Sequence, residues 1–354
     1  MADFCSALYL GMRHPARMLP AWRQLTLGKP AALQELAEAR ELAAELAELQ
    51  GCEAALLMPS TLHLFWDLFG MLAAGDGGKE LVLLADGGTY PIARWGAQQA
   101  VALGMPLQLF AHGDVAAAAS LAQCWRQRGR RPVLLADGYC PGVSRAPPLA
   151  CYARIAGQHG GYLVLDDTQV LGLTGVDGGG SLGAHGIDPR QGGAEVLVGA
   201  SLAKGFGAPL AVLAGGRAVM DRFAAMSQTR RHCSPPSLAV IAAGRNALHI
   251  NRACGDVLRG RLARRVAQWR HGLAERGIGC GGGAFPVQTV RLPARAGLAR
   301  VHAALAREGV QAVPQLTGKG GVLSFLLRAD HREQEVAHAL AALERQLELF
   351  KEMT

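Results

Sequence analysis

SLAKGFG (201–207) lies between two apolar runs, AEVLVGA (194–200) and PLAVLAG (209–215). Short apolar runs bounded by turn residues read as buried strands. A lysine between them must be paired, lowered in pKa or used covalently, because burial disfavours its ammonium form. The residues around Lys204 suit the covalent use. Ser201, three positions earlier, would hold a phosphate, and Gly205 and Gly207 would let backbone come close to a bound ring. The alternative is a lysine on a surface turn after a strand.

GGYLVLDDTQVLGLTG (160–175) supplies the second half of the pattern. Tyr162 to Leu165 are too apolar for a half-exposed strand, so Asp166 falls at the carboxyl end of a central parallel strand, where ligands bind in open α/β sheets. Taken alone, such an aspartate reads equally as a helix cap or a turn residue. Paired with Lys204 it has a chemical role. A lysine that forms a Schiff base with pyridoxal phosphate (PLP) works with a carboxylate that keeps the pyridine nitrogen protonated, so that the ring accepts electrons from a carbanion on the bound amine. Asp166 and Lys204 are the catalytic candidates. Asp167 is the competing choice for the ring carboxylate.

At these residues the chain resembles the α-oxoamine synthases, a family of fold-type I PLP enzymes that includes 8-amino-7-oxononanoate synthase and glycine C-acetyltransferase. LYLGMRHP (8–15) is similar to the family's N-terminal segment and ELAELQGCEAALLMPSTLHLF (45–65) to the stretch that ends in its phosphate loop. DDTQ (166–169) stands where the family has Asp-Glu-Ala-His, SLAKGFG falls on the lysine motif, and HCSPPSLAVIAAG (232–244) resembles the segment that reaches a neighbouring subunit. RADHREQEVAHAL (328–340) resembles the closing strand-to-helix junction. The resemblance implies that Ser60, Thr61 and Leu62 bind phosphate at a helix start, a favourable anion site. It also implies a homodimer with shared active sites, which puts His232 near the partner's site.

Departures from the pattern bear on chemistry and substrate. Tyr90, in ADGGTYPIA (85–93), replaces the histidine that stacks on the ring; it can stack but not exchange protons near neutrality. Gln169 replaces the histidine near the cofactor's phenolic oxygen and can only hydrogen-bond it. Aligned on ADH (329–331), the family's carboxylate-binding arginine becomes Ser324, and its asparagine contact becomes Leu8. Neither replaces a bidentate guanidinium. The substrate carboxylate is then bound by another group, Arg328 or a second chain's arginine, or it is absent. The reaction expected is condensation of an amine or amino-acid carbanion with an acyl thioester, on coenzyme A or an acyl carrier protein. An aminotransferase or lyase acting on an unusual amine is the alternative, and a non-catalytic member of the fold is another.

Composition fits a globular enzyme. The chain has 354 residues, half of them hydrophobic and 18% charged, which excludes disorder and is enough for two subdomains. Eight scattered cysteines without C-x-x-C, and no histidine cluster at metal spacing, point to reduced thiols and no metal. A formal charge of +8 comes from dispersed arginines without interleaved aromatics, which argues against nucleic acid. No apolar run is long enough to span a bilayer and no signal-peptide core opens the chain, so the expected location is cytoplasmic. Apolar runs at 81–85, 106–110, 132–136, 162–166, 195–199 and 210–214 alternate with amphipathic helices, giving an α/β fold with a mainly parallel central sheet. The expected division is an N-terminal arm (1–45) packed on the small domain, a large PLP-binding domain (46–245) and a small α/β C-terminal domain (246–354). The small domain should hold a long helix near 236–276, strands at 286–292 and 322–327, and a closing helix from about 332.

Overall fold

Seven apolar segments pair into one sheet: β1 (Ala54–Met58), β2 (Leu81–Asp86), β3 (Leu107–Phe110), β4 (Arg131–Asp137), β5 (Tyr162–Asp166), β6 (Glu195–Ser201) and β7 (Ala211–Gly215). The computed structural model describes residues 1–22, 24–75, 77–292, 295–317 and 320–351. Strand order is β1-β7-β6-β5-β4-β2-β3. Strands β2 to β6 are mutually parallel, while β7 runs antiparallel to both β6 and β1. The six apolar runs marked as strands in the sequence are all strands here. The antiparallel β7 and the strand β1 were not anticipated.

Alternation along each strand sends side chains to two separate cores, as the pleat requires. Leu83, Val133, Val164 and Leu197 lie in one core with Leu64, Phe65 and Leu68. Val82, Leu84, Leu134, Leu163 and Val196 lie in the other with Tyr152, Ile155 and Ala118. Burial on both faces is what makes these strands continuously apolar. Each fully buried Val or Leu contributes roughly 1.5–3 kcal/mol of transfer free energy.

Helices α1 (Ala37–Leu49), α2 (Thr61–Ala73), α3 (Pro91–Ala102), α4 (Val115–Gln127), α5 (Leu149–Gln158) and α6 (Arg217–Met226) accompany the sheet. Gly51, at φ +72°, ends the turn after α1, the stop expected there. Helices α2 and α3 meet closely, because a Cβ on Gly96 would lie 2.6 Å from the Phe65 backbone. Gly70 in turn faces Gln99. The contacts advance together along both helices, so α2 and α3 run parallel and begin at the same end.

A second unit comprises Met1–Met12, Val143–Arg145 and Cys254–Thr354; Arg13–Gly142 and Ala146–Ala253 form the first. The sequence reading instead drew its borders after residues 45 and 245. The long helix α7 (Leu238–Glu275) leaves helical geometry at Cys254 (φ −151°, ψ 17°), where the units divide. The smaller unit holds β8 (Val287–Leu292), β9 (Val313–Thr317) and β10 (Gly320–Leu326) in the antiparallel order β9-β10-β8, with helices α8 (Arg295–Arg307) and α9 (Glu333–Lys351). Phe4 enters its core against Trp269, Phe325 and His331, with ring centroids 4.4–5.9 Å away. All eight cysteines are free thiols, and among the described residues no helix is long and apolar enough to cross a membrane.

Gly96→Val should force α2 and α3 apart. Overpacking of this kind costs about 1–3 kcal/mol, so the urea midpoint of unfolding should fall with an unchanged slope; an unaltered midpoint would contradict the close packing.

Candidate active site

Parallel register brings strand ends together. Asp137 pairs with Asp166, and Asp166 with Gly199, so the last residues of β4 and β5 stand side by side next to the end of β6. Both aspartates are buried. Burial, and then the neighbouring Asp166 charge, push Asp137 well above the usual carboxylate range. Burial pushes Asp166 up as well, against the hydrogen bonds of Thr168 and the charge of Lys204. Thr168 N–H donates to Asp166 Oδ1 at 3.0 Å. Asp167 is bonded elsewhere: its Oδ2 accepts the Ser181 N–H at 2.7 Å, and burial raises it to about 6.

Lys204 completes the cluster from the loop after β6. Burial lowers its pKa, while the charges of Asp166 and then Asp137 raise it, and the net direction is down. The loop is held by its own chain. A Cβ on Gly205 would lie 2.3 Å from the Leu171 carbonyl oxygen, and Gly207 has φ +65°. Gly205, read in the sequence as room for a cofactor, instead makes room for Leu171. His14 Nε2–H donates to the Phe206 carbonyl at 2.8 Å, and its Nδ1 accepts from Asn246 at 3.0 Å, which makes His14 a structural histidine. Ser201 Oγ accepts the Ala203 N–H at 3.2 Å, and its own N–H donates to Thr168 Oγ1 at 3.0 Å.

Two helix N-termini border the cluster. Ser60 caps α2 through its Oγ, which accepts the His63 N–H at 3.4 Å and lies 2.8 Å from His63 Nδ1. The first intrahelical bond runs from Leu64 N–H to the Ser60 carbonyl, so the N–H groups of Thr61 and Leu62 precede the ladder. Tyr90 precedes α3 and donates its N–H to both Asp137 oxygens, at 2.9 and 3.2 Å. Its ring centroid lies 5.8 Å from Lys204 Nζ. Gln169 is half-buried, and His232 is exposed at the end of the short helix Gln228–His232.

Asp137 was not among the sequence candidates. The signal was present, since LLAD occurs at 83–86 and again at 134–137. The apolar runs end at Ala85 and Ala136, one residue short of the strands, so Asp86 and Asp137 fall just outside them in the sequence.

The remaining candidates belong to the smaller unit. Ser324 is buried in β10, paired across the sheet with Val313 and Thr289. Leu8 lies in the N-terminal segment, half-buried. Arg328 is a clasp: Nη1 donates to the Asp3 carbonyl at 2.7 Å and to Asp3 Oδ2 at 3.1 Å, and Nε to Asp330 Oδ1 at 2.8 Å. These bonds, together with His331 Nε2 to the Asp3 carbonyl at 2.9 Å, engage the guanidinium in fastening the N-terminal segment.

No family model matches the chain. The chain is 32% identical over 245 residues to an 8-amino-7-oxononanoate synthase of Alkalilimnicola ehrlichii, covering 68% of this chain and 61% of that protein. It is 28% identical over 367 residues to the one of Methylococcus capsulatus, covering 96% and 88%. Among solved structures it resembles 8-amino-7-oxononanoate synthase of Francisella tularensis (TM-score 0.77, 15% identity, 99% and 98% of the two chains). It also resembles a serine palmitoyltransferase of S. paucimobilis (TM-score 0.85, 15% identity, 97% and 86%). These structural likenesses show the fold, a fold-type I α/β architecture with a mainly parallel central sheet and a smaller unit.

Because the Asp166 charge raises the Lys204 pKa, Asp166→Asn should lower it further, and Asp137→Asn should act in the same direction. The pH dependence of Lys204 acylation in cofactor-free protein, read by peptide mass, should move to lower pH in each variant; a midpoint that stays or rises would contradict the charge coupling.

Proposed function

Because this chain belongs to the α-oxoamine synthase family of PLP-dependent enzymes, we propose that it holds PLP at the Lys204, Asp166 and Asp137 cluster and condenses an amine or amino acid with an acyl thioester. The observation that carries the reading is a lysine lowered by burial beside two buried carboxylates at adjacent strand ends. The residues fit the group. Two carboxylates raised by burial lack a full complement of positive charge, and a pyridinium N–H supplies it.

Bound PLP supplies an aldehyde for the amine and a ring that accepts the electron pair left at the substrate's α-carbon. The protein's residues do the rest. Lys204, its pKa lowered by burial, takes and returns the proton at the α-carbon. Asp166, backed by Asp137, would hold the proton on the ring nitrogen. The Ser60 and Ser201 hydroxyls and the Thr61 and Leu62 N–H groups hold the phosphate, an arrangement favoured by the helix dipole. Tyr90 would cover the ring face, and Gln169 would hydrogen-bond the phenolic oxygen. In the condensation a C–C bond forms at the thioester carbonyl, the C–S bond breaks and the thiol leaves. With an amino acid, the α-carboxylate departs as carbon dioxide.

With Ser324 and Leu8 at the places of the family's carboxylate contacts, and Arg328 clasped to Asp3 and Asp330, the substrate is an amine, or an amino acid whose carboxylate is held by another group. The acyl donor is a coenzyme A or carrier-protein thioester, and the setting is the cytoplasm. The active form is a homodimer, because Trp66 and Trp95 are exposed large side chains on the parallel helices α2 and α3 and a second copy would cover them.

Thiol release from acyl-coenzyme A, followed across a panel of amines and amino acids, tests the reaction. At least one amine should trigger release, and Lys204→Ala should abolish it. Ketone formation without thioester consumption would move the assignment to an aminotransferase. Trp95→Arg should shift the sedimenting species from dimer to monomer; a parent that sediments as a monomer would remove the dimer.

A further inference from the structure

We propose that His112, acting through Asp86, is a positioning residue that fixes the loop Gly87–Tyr90 and so places the Tyr90 ring beside Lys204. The inference rests on the reading of Tyr90 as the residue that covers the cofactor ring.

Tyr90 is 53% exposed, so little packing holds its ring, and its place is set by backbone. Each backbone N–H from Gly87 to Tyr90 is hydrogen-bonded. Gly87 N–H donates to the Phe110 carbonyl at 2.9 Å, and Thr89 N–H to the Asp86 carbonyl at 3.0 Å. Gly88 N–H donates to Asp86 Oδ1 at 2.7 Å, and Tyr90 N–H to Asp137. The Asp86 side chain is therefore the hub at one end of the loop, and Asp137 the anchor at the other.

Asp86 accepts four hydrogen bonds while almost wholly buried. Tyr152 Oη donates to Oδ2 at 2.7 Å and Gly113 N–H at 3.0 Å, which ties that oxygen to α5 and to the segment after β3. Among the described residues Oδ1 is shared by two donors, Gly88 N–H and His112 Nδ1–H, each at 2.7 Å. His112 thus sets the oxygen that holds the loop. It also limits where the loop can go: a Cβ on Gly88 would lie 2.4 Å from His112 Nδ1 and 3.1 Å from Cys140 Sγ. The Cys140 thiol donates to the Gly88 carbonyl at 3.0 Å. Removing the imidazole takes away one of two donors on Oδ1 and opens space beside Gly88, both of which free the loop. Asparagine can restore the donor, because its amide nitrogen stands near the place of Nδ1.

The test is a double-mutant cycle on the PLP dissociation constant, measured by titrating cofactor-free protein with PLP. It is accompanied by amide hydrogen exchange of residues 87–90 without cofactor and by the melting temperature of each variant. His112→Ala should weaken PLP by about 3- to 30-fold, the scale of coupling between contacting residues. It should speed exchange in the loop, and His112→Asn should largely restore both. Combined with Tyr90→Ala, His112→Ala should add little to the loss caused by Tyr90→Ala alone. Full additivity, or unchanged exchange at 87–90, would overturn the inference while leaving the cofactor reading intact. If Tyr90→Ala itself leaves the dissociation constant unchanged, the role given to Tyr90 falls and the inference with it.

Discussion

Two carboxylates held side by side at the ends of adjacent buried strands, Asp137 and Asp166, are the constraint around which this molecule is arranged. Parallel pairing of strands buried on both faces brings those ends into register. Burial makes the pair costly unless a cation joins it. Lys204 joins from the next strand's loop, but its own ammonium is disfavoured by the same burial. Burial thus raises the two carboxylates and lowers the lysine at one place, leaving room in the charge balance for a further positive group.

The surrounding elements serve that cluster. Close packing at Gly96 lets α2 and α3 start together, which collects N–H groups and helix dipoles at one end. Asp137 does double duty, as neighbour of Asp166 and as acceptor for the Tyr90 N–H. Opposite them, the lysine loop is seated by Gly205 against Leu171 and by the bond from His14 to Phe206. The site is thus held mainly by backbone hydrogen bonds and by glycine contacts, with few side-chain ion pairs.

Much of this was legible in the sequence because apolar runs buried on both faces leave a strong local signal. Runs at 81–85, 132–136, 162–166 and 195–199 became parallel strands, and Asp166 and Lys204 fell where strand ends should place them. Strand direction is not a local property, so nothing in LAVLA (210–214) announced that Ala211–Gly215 would run antiparallel. AALLM (54–58) is too short for periodicity to separate it from the helix that follows. Asp137 was hidden by a boundary error of one residue. The clasp of Arg328 on Asp3 joins residues far apart in sequence, and a lone arginine near a recognised motif invites a substrate role that its partners do not support.

On the proposed reading Lys204 and Asp166 serve the cofactor, while Ser324 and Leu8 stand where a substrate carboxylate would be gripped, so cofactor chemistry and substrate selection rest on separate residues. With Lys204 one of only five lysines in the sequence, the site can be addressed directly. The decisive measurement is to incubate the protein with PLP, reduce with borohydride, and map the pyridoxyl group by peptide mass. The group should sit on the peptide carrying Lys204, with much lower yield in Asp166→Asn. Modification spread over the other lysines, or none at all, would contradict the assignment of this cluster as the cofactor site.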